Sequence, residues 1–228
     1  MIISKKNEVY LTVKTDKGIA RELSDFFTFE VPGAKFMPQY RNRMWDGKIR
    51  LYSLQTGEIY FGLLPYIEEF AKRNEIEIEY EENVNGQQEL GDGELDIFVG
   101  RVSPQSKGKT LEIRDYQMDA FTHAVRTNRS LLLSPTASGK SLIIYLLAVW
   151  YAMKTEKNVL ILVPTTSLVE QMYTDFVDYG FKESMMQKIY QGYSKNITKP
   201  VTISTWQSIY KMPKKWFEQF GCVLGDEV

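Results

Sequence analysis

From Leu111 onward the chain alternates short, continuous apolar runs with longer stretches whose apolar residues recur at helical spacing. The runs at 130–133, 159–163, 201–204 and 222–224 predict strands. Between them, 115–126, a stretch starting at Lys140, 167–179 and a patch from Ser208 to Phe220 predict helices. Continuous apolar strands alternating with helices predict a parallel sheet covered on both faces, a doubly wound α/β arrangement.

The first hundred residues carry a different pattern. A strand is expected at Val9–Val13, then a helix over Ile19–Phe27 with Leu23, Phe26 and Phe27 inward. Two strands, Lys48–Tyr52 and Ile59–Leu63, are expected to be joined by the Gln55-Thr56-Gly57 turn. Pro65 opens a helix through Lys72 with Ile67 and Phe70 inward, and Ile76–Tyr80 alternates like a half-buried strand. These elements predict a small α+β domain over residues 1–100, followed by the α/β domain over 101–228. The polar stretch from Glu81 to Lys109 reads as containing the linker, with Leu95–Val99 as one further strand.

Composition adds exclusions. The longest apolar run, Leu142–Met153, is too short to span a bilayer, and the N-terminus has no secretion-signal pattern. The single cysteine, Cys222, excludes an intramolecular disulfide and fits a reducing cytoplasm. Cys222 and the single histidine, His123, build neither a triad nor a metal cluster. Net charge is −1, but the average hides an asymmetry: Lys35, Arg41, Arg43, Lys48 and Arg50 face one anion, Asp46, across 35–50. Screening confines fields to roughly 8–10 Å, so this local patch can hold phosphates whatever the total charge. Tyr40 and Trp45 interleave with Arg41, Arg43, Lys48 and Arg50, as in surfaces that neutralise a nucleic-acid backbone and stack on bases. A solvated hairpin face with both aromatics partly in the core is the plainer reading of the same residues.

The sharpest chemical signal is Ser134-Pro135-Thr136-Ala137-Ser138-Gly139-Lys140-Ser141, set between a predicted strand and a predicted helix. That is the context of a phosphate-binding loop. Gly139 lets backbone amides approach phosphates closely, Lys140 reaches the β- and γ-phosphates of ATP, and the Ser141 hydroxyl can ligate Mg2+. Ser134 stands where the usual first glycine would be. At the far end, Asp226-Glu227 follows an apolar strand, where a magnesium-holding Asp226 and a water-orienting Glu227 belong.

In this order the segments resemble helicase superfamily two, and more narrowly the phage UvsW-type helicases. Leu111–Gln117 resembles the segment before the phosphate loop, which implies that Gln117 contacts adenine with support from Arg114. Val163–Gln171 resembles motif Ia, implying nucleic-acid contacts from Pro164, Thr165, Thr166 and Gln171. A threonine pair after a strand is also a good helix cap. Ser204–Ser208 resembles the motif Ib region, implying the same for Thr205; Trp206 reads more readily as a core aromatic. Asp226-Glu227-Val228 resembles the start of a DExH motif. In the first domain, Phe26–Glu30, Trp45–Leu51 and Phe61–Leu63 resemble the small domain that precedes the motor in UvsW-type enzymes.

The resemblance implies a first RecA-like lobe that ends at motif II. It also implies an ATP- and Mg2+-dependent DNA helicase acting on branched or forked duplexes, R-loops or RNA–DNA hybrids, with a second RecA-like lobe expected outside this chain. Two other classes stay open: a DNA-binding module whose half-motor binds ATP without turning it over, and a P-loop ATPase or nucleotide kinase unrelated to DNA. The last leaves the motif Ia and Ib segments and the basic-aromatic patch without a role.

Overall fold

A computed structural model describes residues 1–81, 84, 90–91, 93–135 and 137–227. It divides into two compact units, Met1–Gly86 and Gln87–Val228.

The first unit is a four-stranded sheet with helices against it. Its strands are β1 (Ile2–Lys5), β2 (Tyr10–Lys14), β5 (Glu58–Tyr60) and β6 (Glu79–Tyr80), in the order β5-β2-β1-β6. β2 runs antiparallel to β1 and β5, while β6 runs parallel to β1. Helix α1 (Lys17–Phe26) begins at Asp16, whose side chain accepts hydrogen bonds from the amides of Gly18 and Ile19. Losing that cap should cost about 1 kcal/mol, so Asp16→Ala is expected to lower the first unit's midpoint in a urea titration without changing its fold. Helix α3 (Leu64–Arg73) buries Ile67 and Phe70, as its spacing predicts. With Ile3, Leu11, Leu23, Phe27, Tyr52 and Ile59 they form the core.

One prediction here is overturned. Residues 48–52 and 59–63 do not form one hairpin. β4 (Lys48–Arg50) pairs antiparallel with β3 (Thr28–Glu30), setting Phe29 opposite Ile49, and only the single bridge Tyr52–Ile59 joins the expected partners. The turn at Gly57 remains, because β5 is needed by β2 and the chain must still reverse there. Between β3 and β4 lies a loop that carries the short helix α2 (Pro38–Arg41).

The second unit opens with helix α4 (Glu94–Val102), where the sequence predicts a strand at 95–99. Leu95 and Phe98 are buried, with Val99 and Val102 packed beside them, and this i, i+3, i+4, i+7 face is helical. Four apolar residues in a stretch of five fit either period, and the stacked contact of Phe98 on Phe121 decides it. The contact also carries this segment into the second core. A two-strand ribbon, β7 (Gln105–Ser106) and β8 (Lys109–Thr110), leads to α5 (Asp115–Thr127) and α6 (Lys140–Lys154).

The rest is the predicted parallel sheet. Strands β9 (Asn158–Val163), β10 (Met186–Ile189), β11 (Val201–Thr205) and β12 (Phe220–Gly225) lie in the order β10-β11-β9-β12, every pair parallel. Helix α7 (Thr166–Asp178) follows β9, and the helical patch near the end resolves into α8 (Trp206–Ile209) and α9 (Lys214–Phe217). Alternation along β9 shows why the sheet is wound on both faces. Val159, Ile161 and Val163 enter the core shared with α5, α6 and α7, while Leu160 and Leu162 pack against Ile209, Trp216 and Phe220.

Residues 130–133 overturn a second expectation. They form no strand, and Leu131 and Leu133 are 84% and 91% exposed. Leu132 alone packs against the core. Apolar character makes a segment fit for a buried strand, but a strand exists only where a neighbour takes its backbone hydrogen bonds. β12 pairs with β9 on one side, and no strand among the described residues lies on its other side. Of the Met185-Met186 pair, predicted to pack on the sheet, Met186 does so and Met185 is exposed.

Candidate nucleotide site and nucleic-acid surfaces

Parallel register brings the chemistry to one edge. Thr205 of β11 lies beside Val163 of β9, and Gly225 of β12 beside Leu162. The segments after all three strands therefore leave the sheet at its carboxyl edge, where open α/β sheets hold ligands.

The phosphate-loop residues reach this edge from the start of α6. Gly139 caps the helix in the left-handed region (φ 81°), and Ala137 is also left-handed (φ 63°). A side chain at Gly139 would collide with the Gln117 amide as well as strain the backbone. The first-turn amides of α6 are donors that a helix leaves without internal partners, and they carry its positive dipole end. Ser134 and Ser138 share a hydroxyl–hydroxyl hydrogen bond across the loop. Pro135 is described, whereas Thr136 lies outside the described residues.

Lys140 is ion-paired with Glu227, whose hydrogen bond holds the ammonium above its usual pKa. Next to it, Asp226 donates its backbone amide to Leu162 O at 2.9 Å, which fixes it at the end of β12. Burial raises the Asp226 carboxyl above its ordinary range, and the charge of Lys140 opposes that rise. A carboxylate short of compensating charge beside a phosphate-loop lysine is suited to a divalent cation. Among the described residues no cluster of three or more His, Cys, Asp or Glu forms a protein-only metal cage. Magnesium usually takes one or two carboxylates with phosphate and water, so the donor set fits.

Two of the expected ligands make contacts within the protein. The Ser141 hydroxyl is bonded to Tyr179 Oη at 2.8 Å and also meets Asp175, so Tyr179, not Asp226, engages it here. Gln117 is buried and its amide is used internally: Nε2 donates to Ser138 O at 2.9 Å and Oε1 accepts from the Arg114 amide at 3.1 Å. Its observed role is to brace the phosphate loop. Tyr116, which the sequence reading passed over, does the same through Oη to Ser138 O at 2.8 Å, and Arg114 donates to Tyr116 Oη at 3.0 Å. Its signal was adjacency to Gln117 in the segment before the loop.

After β9, Pro164 is half-buried and Thr165, Thr166 and Gln171 are exposed. Thr165 also caps α7 by accepting from the Leu168 amide at 3.3 Å. Thr205 is 4% exposed and its hydroxyl is bonded to Ser208, which withdraws it from any external phosphate. Its neighbour Trp206, expected in the core, is instead 51% exposed.

In the first unit, the loop between β3 and β4 folds around an open cavity of about 650 Å3 lined by Lys35, Tyr40, Arg41, Arg43, Met44, Trp45 and Asp46. The patch residues divide into two groups. Trp45 donates its indole N–H to Lys48 O at 2.9 Å, Lys48 lies 3.7 Å from Glu30, and Arg50 forms an ion pair with Asp46. Tyr40, Arg41 and Arg43 point to solvent.

Comparison with known proteins accords with this division. Residues 3–81 match the family "DNA helicase UvsW, N-terminal", and residues 110–228 match the family "Type III restriction enzyme, res subunit". The ATP-dependent DNA helicase uvsW of Enterobacteria phage T4 is 37% identical over 96% of the chain, which spans 44% of that relative's length. Two crystal structures of the T4 UvsW helicase superpose with TM-scores of 0.88 and 0.89, each 35% identical over 99% of this chain, covering 82% and 47% of theirs. The chain belongs to the type III restriction enzyme res-subunit family and is a relative of the UvsW helicases across both of its units.

Proposed function

We propose that this chain is the N-terminal part of an ATP-dependent DNA helicase that acts on branched or forked DNA, R-loops or RNA–DNA hybrids in recombination, repair and replication. The observation that carries the reading is the meeting of Lys140 with Glu227, beside Asp226, at the carboxyl edge of a parallel sheet. A phosphate-loop lysine next to a carboxylate pair at the end of another strand is an arrangement for nucleotide hydrolysis. DNA as the partner follows from the relative, an ATP-dependent DNA helicase.

The division of labour follows from the residues. Lys140 and the first-turn amides of α6 bind and orient the phosphates of ATP, with Arg114, Tyr116 and Gln117 holding the loop in shape. Asp226 and Ser141 would hold Mg2+, which on binding would neutralise charge on the transferring phosphoryl group. Ser141 must first exchange its bond to Tyr179. Glu227 accepts the proton of the attacking water or orients it, once Lys140 has moved from it to phosphate. Pro164, Thr165, Thr166 and Gln171 face the DNA backbone from the motor lobe; Tyr40, Arg41, Arg43, Trp45, Lys48 and Arg50 do so from the first unit.

The test is ATP hydrolysis by this chain with and without forked DNA, with DNA binding measured in the same buffer. DNA-stimulated turnover is expected wherever the second lobe is supplied. Turnover that ignores DNA under every condition, together with no DNA binding, would make this a P-loop ATPase of another kind. Binding without turnover in the presence of the second lobe would leave a DNA-binding module with an inert nucleotide site.

A further inference from the structure

Resting on the reading of the first unit as a DNA-binding domain, we propose that the cavity between β3 and β4 receives one unpaired nucleotide. Its base lies against Tyr40 and Met44, and its phosphates lie against Lys35, Arg41 and Arg43.

Three features of the loop point to that occupant. The first is charge. Of the groups lining the cavity, three are cations and one is an anion, Asp46. The Arg50 guanidinium bonds Asp46 and holds its carboxyl below the usual carboxylate range, so that anion is neutralised within the loop. What remains facing outward attracts phosphate.

The second is apolar exposure that a phosphate site does not need. Met44 is 78% exposed, and Phe36, Met37 and Tyr40 in the same loop are also exposed. A lone exposed apolar residue is ordinary, but four in one loop among Lys35, Arg41 and Arg43 form a surface for flat, weakly polar groups. Paired bases in a duplex hide their faces, and a flat row of cations would serve a duplex as well. An aromatic ring and a thioether left open beside cations suit a free base face, and base–aromatic stacking accepts any base.

The third is that the cavity is already shaped. Val31 donates to Gly47 O at 2.9 Å, and Met44 donates to Gln39 O at 2.9 Å. Gly47 sits at φ 77°, where a side chain would press on Ala34 and the Tyr40 ring, so the glycine lets the backbone lie against that ring. Arg43 is itself left-handed at φ 56°, and the Trp45 indole is tied to Lys48 O. The volume of about 650 Å3 falls within the roughly 300–1,000 Å3 of small-ligand clefts. A second copy of the chain is disfavoured as occupant, because a two-fold contact would set this cationic rim against itself.

The experiment is a binding titration of the full chain against three DNAs of equal phosphate number. One is a fork with unpaired bases on its arms, one is the same fork with abasic arms, and one is a blunt duplex. The base-bearing fork should bind about tenfold tighter than the abasic fork. Met44→Ala should bring that ratio close to one while leaving affinity for the abasic fork and duplex within about twofold, and Tyr40→Ala should lower the ratio likewise. Met44 is too exposed for its loss to unfold the loop, so the test survives if Tyr40→Ala does not fold. Equal affinity of the unaltered chain for the two forks would overturn the proposal, as would an unchanged ratio in Met44→Ala. Concentration-dependent self-association abolished by Met44→Asp would assign the face to a second copy instead. Failure to bind any of the three DNAs would sink the DNA-binding reading of the unit along with the pocket.

Discussion

Lys140→Ala is expected to lower ATP turnover by about 10²–10³-fold, the usual consequence of removing one positioned donor to developing negative charge. Lys140 is the one side chain in the phosphate loop that carries a full charge, and Glu227 holds that charge in place by raising the lysine pKa. The sign matters: a raised ammonium pKa keeps Lys140 protonated through neutral and mildly alkaline pH, so turnover should not fall in that range through loss of this proton. Nucleotide affinity should fall as well, because the point charge acts on bound phosphates before chemistry begins. Stability should change little, since the Lys140–Glu227 pair is partly exposed and such pairs contribute little to folding. A lost rate with an unchanged melting curve is thus the expected signature. Nucleotide affinity and turnover both equal to the unaltered chain would remove Lys140 from the site.

Much of this site was legible because its signals are local. Gly139 and Lys140 stand at a helix start, and Asp226 and Glu227 follow an apolar strand; short-range physics fixes both statements. What the sequence could not show were the partners chosen across the fold. Ser141 was expected to serve magnesium, yet its hydroxyl is held by Tyr179, thirty-eight positions away. Gln117, expected to meet adenine, also places its amide on Ser138, an arrangement that depends on where α5 docks. Thr205 and Trp206 exchanged their expected exposures, because β11 is buried along its whole length through Thr205 and the next side chain, at the start of α8, is exposed.

The fold shows the same division. Val159–Val163 had to be a buried strand, since its residues supply two opposite faces with apolar contacts. Leu131–Leu133 is as apolar, but hydrophobicity alone cannot provide the neighbouring backbone that a strand requires. Leu95–Val99 failed as a strand because four apolar residues in a five-residue stretch do not fix a period, and Phe98 meeting Phe121 and Trp150 settles the helix. In the first unit, the pairing of Lys48–Arg50 with Thr28–Glu30 spans a long loop, which a search for adjacent hairpins passes over.

Arg41→Ala combined with Arg43→Ala should weaken DNA binding and flatten its salt dependence. Each phosphate released from a basic side chain contributes about 0.9 to the slope of log K against log salt on duplex DNA, so losing two should reduce that slope by about 2. The choice of these two cations over the other patch members follows from the structure. Arg50 is bound to Asp46 and Lys48 lies near Glu30, so removing either would disturb the loop as well as the charge. Arg41 and Arg43 are exposed, and their loss leaves the Trp45–Lys48 and Arg50–Asp46 contacts in place. The measurement is a binding series on one forked DNA across salt concentrations. Two parallel lines would mean that affinity changed without phosphate contacts being lost. Identical lines would place the DNA elsewhere and leave the exposed arginines as ordinary solvated side chains. A flattened line would also separate the two parts of the loop: electrostatic capture by Arg41 and Arg43 fades with salt, whereas base contact at Tyr40 and Met44 persists, because stacking releases no counterions.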